Sequence, residues 1–297
     1  MSGVARPEVA LALDIGGTKL AAALITSDGQ ILERHQVSTV HSTSAELLFE
    51  SLLDLAQTVT GPRPKFDVCG VGCGGPMSFD GAFVSPLNIP AWRDFPLLTR
   101  LRESMEVSVA IDNDAKALTL GEAWFGAGRR FSNFMAMVVS TGVGGGLFVD
   151  GKLLDGRNGN AGHIGHVIVE PGGAKCACGA RGCLEAEASG PAIARRIGAA
   201  PVEADVKERA RAGVMVGRAV ASAINLLDLE QVLVGGSVAL GFGATFLDAA
   251  NRELSERCKL EFSRGVKIAE VELGEAAPLV GAAAVGFRSV GIDPRAE

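Results

Sequence analysis

One pattern of strands and turns occurs twice in this chain, about 130 residues apart, and a repeat on that scale restricts the choice of fold more than composition does. The first copy runs Val9 to Asp14, then Gly16-Gly17-Thr18-Lys19, an apolar run Leu20 to Ile25, a Ser27-Asp28-Gly29 turn and a third run Ile31 to Val37. The second runs Phe134 to Val139, then Ser140-Thr141 and Gly142-Val143-Gly144-Gly145-Gly146, Leu147 to Val149, an Asp150-Gly151 turn and Lys152 to Leu154. Each reads as a three-strand meander with tight turns. Each sets polar side chains and a glycine-rich turn at the end of its first strand, and two such turns facing each other would make a two-sided clamp.

The remaining segments alternate between helix and strand. Helical spacing is read over Ser44 to Val59, Asp112 to Trp124, Ser189 to Ile197, Ala204 to Leu229, Ala244 to Cys258 and Ala276 to Ser289. Strands are read over Phe66 to Gly72, Gln231 to Val234 and Val266 to Leu273. The chain is α/β throughout, with an expected lobe boundary near residue 115.

At 297 residues with 47% hydrophobic and 21% charged residues, a large folded core is expected and disorder is not. The net charge of −6, without a basic stripe, argues against a nucleic-acid partner. No stretch reads as a secretory signal or a membrane span, so a cytoplasmic protein is expected. Cys69, Cys73 and Cys258 read as small buried residues.

Glycine-rich turns suit phosphate chemistry where backbone N–H groups can approach an anion. Gly70, Gly72 and Gly75 spell a dinucleotide-type string, but Pro76 to Gly81 reads as a turn into another strand where a helix should open. The repeated turns serve better. Asp14, Gly16, Gly17, Thr18 and Lys19 place a carboxylate beside backbone that phosphate oxygens can approach closely, and Thr141, Gly142 and Gly144 offer a hydroxyl and a second such turn. Mg²⁺, which takes one or two carboxylates together with phosphate oxygens, suits that combination.

His166, Cys176, Cys178 and Cys183 follow the spacing His-x9-Cys-x-Cys-x4-Cys across glycine-rich turns. Four borderline-to-soft donors so close together suit a closed, tetrahedral and therefore structural zinc site.

Asp14-Ile15-Gly16-Gly17-Thr18-Lys19, Ile111-Asp112-Asn113-Asp114-Ala115, the Ser140 to Gly146 string and the His-Cys cluster together resemble the ROK family of the sugar kinase/actin/Hsp70 superfamily, over nearly the whole chain and in the expected order. The resemblance implies a two-lobe ribonuclease-H-like (actin-like ATPase) fold with a duplicated βββαβα core and a central cleft. The expected N-terminal lobe spans 1–115, joined by a returning helix at about 276–297, and the C-terminal lobe spans 116–275 with the zinc loop. It implies an ATP- and Mg²⁺-dependent kinase acting on the terminal hydroxyl of a hexose, glucose first, with Asp114 as catalytic base and Gly235-Gly236 against the adenosine. Asn113, Asn88, Gly75 and Glu185 are then sugar contacts, and the zinc loop carries His166 and Glu185 into the sugar pocket. A homo-oligomer, dimer or tetramer, is also implied.

One departure stands out. The family's sugar kinases mostly read Glu-x-Gly-His before the zinc histidine, whereas this chain has His163-Ile164-Gly165-His166. An imidazole that donates as well as accepts replaces a carboxylate acceptor, and His163 is expected to line the pocket with an altered sugar preference. The alternatives are an N-acetylmannosamine, fructose or allose kinase, a polyphosphate-using glucokinase, a non-catalytic sugar-binding module and a sugar-sensing repressor. The repressor form carries a DNA-binding domain before the first phosphate motif, and only thirteen residues precede Asp14.

Overall fold

A computed structural model describes residues 8–39, 44–62 and 66–295. Residues 1–7 of the expected N-terminal lobe and 296–297 of the expected terminal helix lie outside the described residues. The chain divides into two compact units: 1–129 with 155–161 and 275–297, and 130–154 with 162–274.

The first unit is built on β1 (Val9–Ile15), β2 (Lys19–Thr26), β3 (Ile31–Ser38), β4 (Val68–Cys73) and β5 (Ser108–Asn113), in the sheet order β3-β2-β1-β4-β5. The meander is antiparallel, and β1, β4 and β5 are parallel neighbours. Helix α1 (Ala45–Thr60) starts where the Ser44 side chain accepts the Leu47 N–H, and it buries Leu48, Phe49, Leu52 and Leu55. Short α2 (Leu97–Ser104) and α3 (Asp114–Phe125) complete the run between the repeats.

The second unit repeats this plan. Strands β6 (Phe134–Val139), β7 (Val143–Val149), β8 (Lys152–Leu153), β9 (Gln231–Gly235) and β10 (Ile268–Glu270) lie in the order β8-β7-β6-β9-β10. The antiparallel and parallel pairings match the first sheet strand for strand. Helices α4 (Leu184–Ala188), α5 (Gly190–Ile197), α6 (Val206–Leu227) and α7 (Ser237–Arg257) pack on it. Its core runs through Met137, Leu184, Ile224, Val234 and Phe246, separate from a first-unit core of Leu13, Leu52, Val71, Trp92 and Leu101. The duplicated ribonuclease-H-like topology is thus present in both sheets.

Helix α8 (Ala277–Ser289) packs on β4, β1 and α3 of the first unit. This explains the dinucleotide-type string, because a Cβ on Gly70 would collide with the Ala282 carbonyl of α8. That glycine admits a helix against the sheet. The first unit continues through α3 to residue 129, beyond a boundary near 115, because α3 packs on α8 and β4.

Local differences from the sequence reading have physical causes. The segment after Pro76 forms only isolated bridges, Met77 with Val84 and Val84 with Phe95, because Pro86, Pro90 and Pro96 deprive it of ladder donors. The strand expected over Val266 to Leu273 is reduced to β10, whose three residues pair with β9 at the sheet edge. Helix α7 begins at Ser237, ahead of the expected Ala244, and Gly243 interrupts it with φ 56°. Among the described residues, no helix is long and apolar enough to cross a membrane.

Candidate functional site

Two of the three parallel strands of the first sheet carry a carboxylate next to their last residue, Asp14 in β1 and Asp112 in β5. Register pairs Asp14 of β1 with Gly72 of β4, and Gly72 with Asp112 of β5. A side chain on Gly72 would stand 3.7 Å from Asp114 Cα and 3.9 Å from Asp14 Oδ1, so both carboxylate residues flank this bare strand end. Asp14 is only 8% exposed, and its pKa is pushed up to about 7, chiefly by burial and then by the negative charge of Asp114, with Lys19 and Arg34 pulling it down. The same burial and both carboxylates hold the Cys73 thiol protonated, well above its usual range.

At the start of α3, Asn113 is the N-cap, accepting the Ala115 N–H at 3.0 Å and the Lys116 N–H at 3.4 Å through Oδ1. Asp114 is the first helical residue and also accepts the Ala115 N–H, at 2.8 Å. The N-cap is therefore Asn113, whose amide nitrogen is left to donate elsewhere. Both residues sit at the positive end of the helix, which favours an anionic carboxylate.

The turn between β1 and β2 closes with the Gly16 N–H donated to the Lys19 carbonyl at 3.0 Å, while the Thr39 hydroxyl bonds the Gly16 carbonyl at 2.7 Å. Gly17 and Thr18 are left as the turn's N–H donors, with Lys19 exposed at its edge. Asn88 lies against this turn, since a side chain on Gly17 would meet its Cβ at 2.7 Å. Gly75 joins the same neighbourhood through its carbonyl, which accepts the Leu87 N–H at 3.3 Å.

In the second unit the turn is shorter than the glycine run suggested. Ser140 donates its N–H to the Gly142 carbonyl at 2.9 Å, and β7 begins at Val143. Gly144 lies inside that strand opposite Val138, so Thr141 and Gly142 remain as the turn's donors. Glu185 reaches this turn directly: its Oε2 accepts the Val143 N–H at 2.9 Å. The Ser140 hydroxyl pairs with Ser237 at 2.9 Å, at the start of α7. Gly235 ends β9, and Gly236, at φ 97° and close under the Val139 carbonyl, caps α7 without a side chain.

The four cluster residues converge. The ligand atoms of His166, Cys176, Cys178 and Cys183 all lie within 4.8 Å of one another, with His166 Nδ1 3.7 Å from Cys176 Sγ and Cys178 Sγ 3.7 Å from Cys183 Sγ. Edges of this length match a tetrahedron with metal–sulfur bonds of about 2.3 Å. His163 precedes a single 3₁₀ turn that ends at His166, and the two rings stack at 6.1 Å.

Sequence reasoning missed Glu187, which is 2% exposed. Its Oε1 accepts the Ala174 N–H at 2.7 Å, and its Oε2 accepts from Arg196 at 2.5 Å and Arg211 at 3.2 Å, bracing the cysteine loop from below. An acid two residues after Glu185 in an otherwise apolar Leu184–Ala188 helix was the available signal. Lys116, four residues after Asp112, was missed too.

Comparison with known proteins agrees with this geometry. The family model described as ROK family matches residues 10–287. A glucokinase of Thermotoga maritima is 32% identical over 95% of this chain and 98% of its own length. An N-acetylmannosamine kinase of Yersinia pseudotuberculosis is 38% identical over 78% of this chain and 84% of its own. Among solved structures, a ROK family glucokinase from Streptomyces griseus in complex with glucose and AMPPNP superposes with a TM-score of 0.84 at 28% identity, covering 94% of this chain and 99% of that one. A match spanning nearly the whole chain, on a duplicated sheet with the motifs at its strand ends, makes this protein a member of the ROK family.

Proposed function

We propose that the chain is an ATP-dependent sugar kinase that moves a γ-phosphoryl group to the terminal hydroxyl of a hexose, with glucose the leading substrate. The observation that carries the reading is the pairing of Asp14 and Asp114 around the bare strand end at Gly72. Phosphoryl transfer to an alcohol needs positioning, charge neutralisation and a proton acceptor. Asp114, seated at a helix start, takes the hydroxyl proton, while Asn113, Asn88, Gly75, His163, His166 and Glu185 are the assigned sugar contacts. The N–H groups of Gly17 and Thr18 and of Thr141 and Gly142 bind phosphate oxygens, and Gly235-Gly236 serves the adenosine. Asp14 fits as a Mg²⁺ partner, because a buried carboxylate held half-protonated near neutrality gains from a cation beside it. Bound Mg²⁺ supplies charge neutralisation on the phosphates.

Zinc is the metal assigned to His166, Cys176, Cys178 and Cys183: three thiolates and an imidazole leave no open position, so its role is to hold the loop and not to act on substrate. A cytoplasmic location and a homo-oligomer complete the reading.

The test is a coupled assay of zinc-replete protein against glucose, mannose, fructose, allose and N-acetylmannosamine, with ATP or polyphosphate as donor. Sugar-dependent ADP release led by glucose is expected; no release with any of these sugars would refute the kinase. Repeating the panel with His163→Glu should change the ranking of sugars by about ten-fold in kcat/KM. Identical profiles would remove His163 from the sugar pocket.

A further inference from the structure

A buried cation sits two residues beyond Asp114. Lys116 is 2% exposed, and its ammonium finds an acceptor for each of its three protons: Asp112 Oδ1 at 2.8 Å, Asp155 Oδ1 at 2.8 Å and the Gly159 carbonyl at 3.3 Å. The other oxygen of Asp155 accepts from Arg288 of α8 at 3.1 Å. An Asp and a Lys four apart at a helix start are ordinarily a solvated pair of little consequence. Here the lysine is inside, and its second carboxylate comes from 39 residues away. Ammonium groups are kept out of water only where specific partners compensate, so this placement is a constraint on the local backbone.

Two things are constrained. Asp112 closes β5 and Lys116 lies in the first turn of α3, so their ion pair spans the strand-to-helix corner that carries Asn113 and Asp114. Lys116 also seats the segment 155–161, which follows β8, belongs to the first unit and leads in sequence straight to Gly162, His163 and His166. Asn160 adds a bond from Nδ2 to the Met77 carbonyl at 3.1 Å, two residues beyond Gly75. One ammonium therefore fastens both the corner bearing the base and the strap that precedes the histidines.

We propose that Lys116 is a positioning residue of the phosphoryl-transfer reaction, whose ammonium holds Asp114 in register and seats the strap Asp155–Ala161, so that the base is aligned only while the strap is docked. This rests on the reading of Asp114 as the base. The side chain never touches substrate; it acts through Asp112 and Asp155.

The experiment compares wild type, Lys116→Met, Asp155→Asn and Asp114→Asn in three readouts. Calorimetry with glucose, or with N-acetylmannosamine if the wild type prefers it, counts sugar-binding sites and gives Kd. Turnover is expressed per counted site, which removes any loss of folded protein. Limited trypsinolysis after Arg157, exposed within the strap, reports docking without reference to activity. Lys116→Met should lower turnover per site by about 100-fold with sugar Kd changed less than about three-fold, since a misplaced catalytic group costs that much. Cleavage after Arg157 should accelerate by about ten-fold as the strap opens locally. Asp155→Asn should move both readouts the same way by smaller factors. Asp114→Asn should lower turnover per site by about 10²- to 10⁴-fold with Arg157 cleavage unchanged; if turnover there stays within a few-fold of the wild type, the base assignment fails and the inference built on it is overturned with it, whatever the cleavage shows. Wild-type turnover per site or wild-type cleavage in Lys116→Met overturns the inference. Should Lys116→Met not fold, Asp155→Asn decides: faster cleavage with reduced turnover supports it, and wild-type behaviour in either refutes it.

Discussion

In the first unit Asp14 is the last residue but one of β1, and β5 ends in Asp112 and Asn113, directly before Asp114 opens α3; in the second unit Ser140 follows β6, the counterpart of β1, Gly235 ends β9, the counterpart of β4, and β10, the counterpart of β5, ends in Glu270. The two sheets share one strand order, and the two turns even close alike, with an early N–H folded back onto a carbonyl and two N–H groups left over. The fold is duplicated and the chemistry is not. The first unit buries Asp14 beside the negative charge of Asp114, and that burial first and that charge second lift its pKa to about 7. The second has neutral groups after β6 and β9, at Ser140, Thr141 and Gly235-Gly236, and it carries the cluster of His166, Cys176, Cys178 and Cys183, whose donor atoms suit a metal. On the proposed reading, proton transfer and cation binding fall to the first unit, while the second contributes turn N–H groups together with the side chains of His163, His166 and Glu185.

The widest effect should come from dismantling the second unit's side of this contrast. Cys183→Ser removes one of four ligands and frees the loop leading into α4, and we expect the melting temperature to fall by about 10 °C, from a loss of a few kcal/mol. Elemental analysis should find about one zinc per chain in the wild type and little in the variant. Unchanged melting would mean that the cluster does not support its unit.

Next is the charge on the first unit. Because the folded pKa of Asp14 is raised to about 7 from 3.8, its contribution is fully present below the unfolded value and is lost as pH rises through about 7. Without Mg²⁺, stability should therefore decline from pH 5 to pH 8, by roughly 3 kcal/mol at most from this group. Asp14→Asn should flatten that decline in denaturant titrations at the two pH values. An equally steep decline in the variant would assign the effect elsewhere.

Smallest is the link between cluster and turn. Glu185→Gln keeps an acceptor for the Val143 N–H but loses its charge, at a cost of about 1 kcal/mol, so KM for nucleotide should rise about five-fold. A change confined to KM for sugar would instead make Glu185 a sugar contact alone.

Much of this was legible in the residues because repeats and ligand spacings are local signals. The two meanders, the Cys-x-Cys-x4-Cys run and the polar corner at Asp112 to Asp114 each declare themselves within a few positions. What escaped depends on partners distant in sequence. Nothing near Gly70 announces the carbonyl of Ala282, and nothing near Lys116 announces Asp155. The Ser140 to Gly146 run looks like one long turn because glycine carries no periodicity, yet pairing with β6 draws Gly144, Gly145 and Gly146 into a strand. Strand β5 was hidden because its last two residues are polar, and α4 because five residues are too few to show a period.

The assignment of proton transfer to the first unit stands or falls on Asp114. Asp114→Asn, assayed for sugar-dependent ADP release alongside calorimetric sugar binding, should lose about 10²- to 10⁴-fold in kcat while Kd for the sugar shifts by less than about ten-fold. Turnover within a few-fold of the wild type, with sugar still bound, would contradict it.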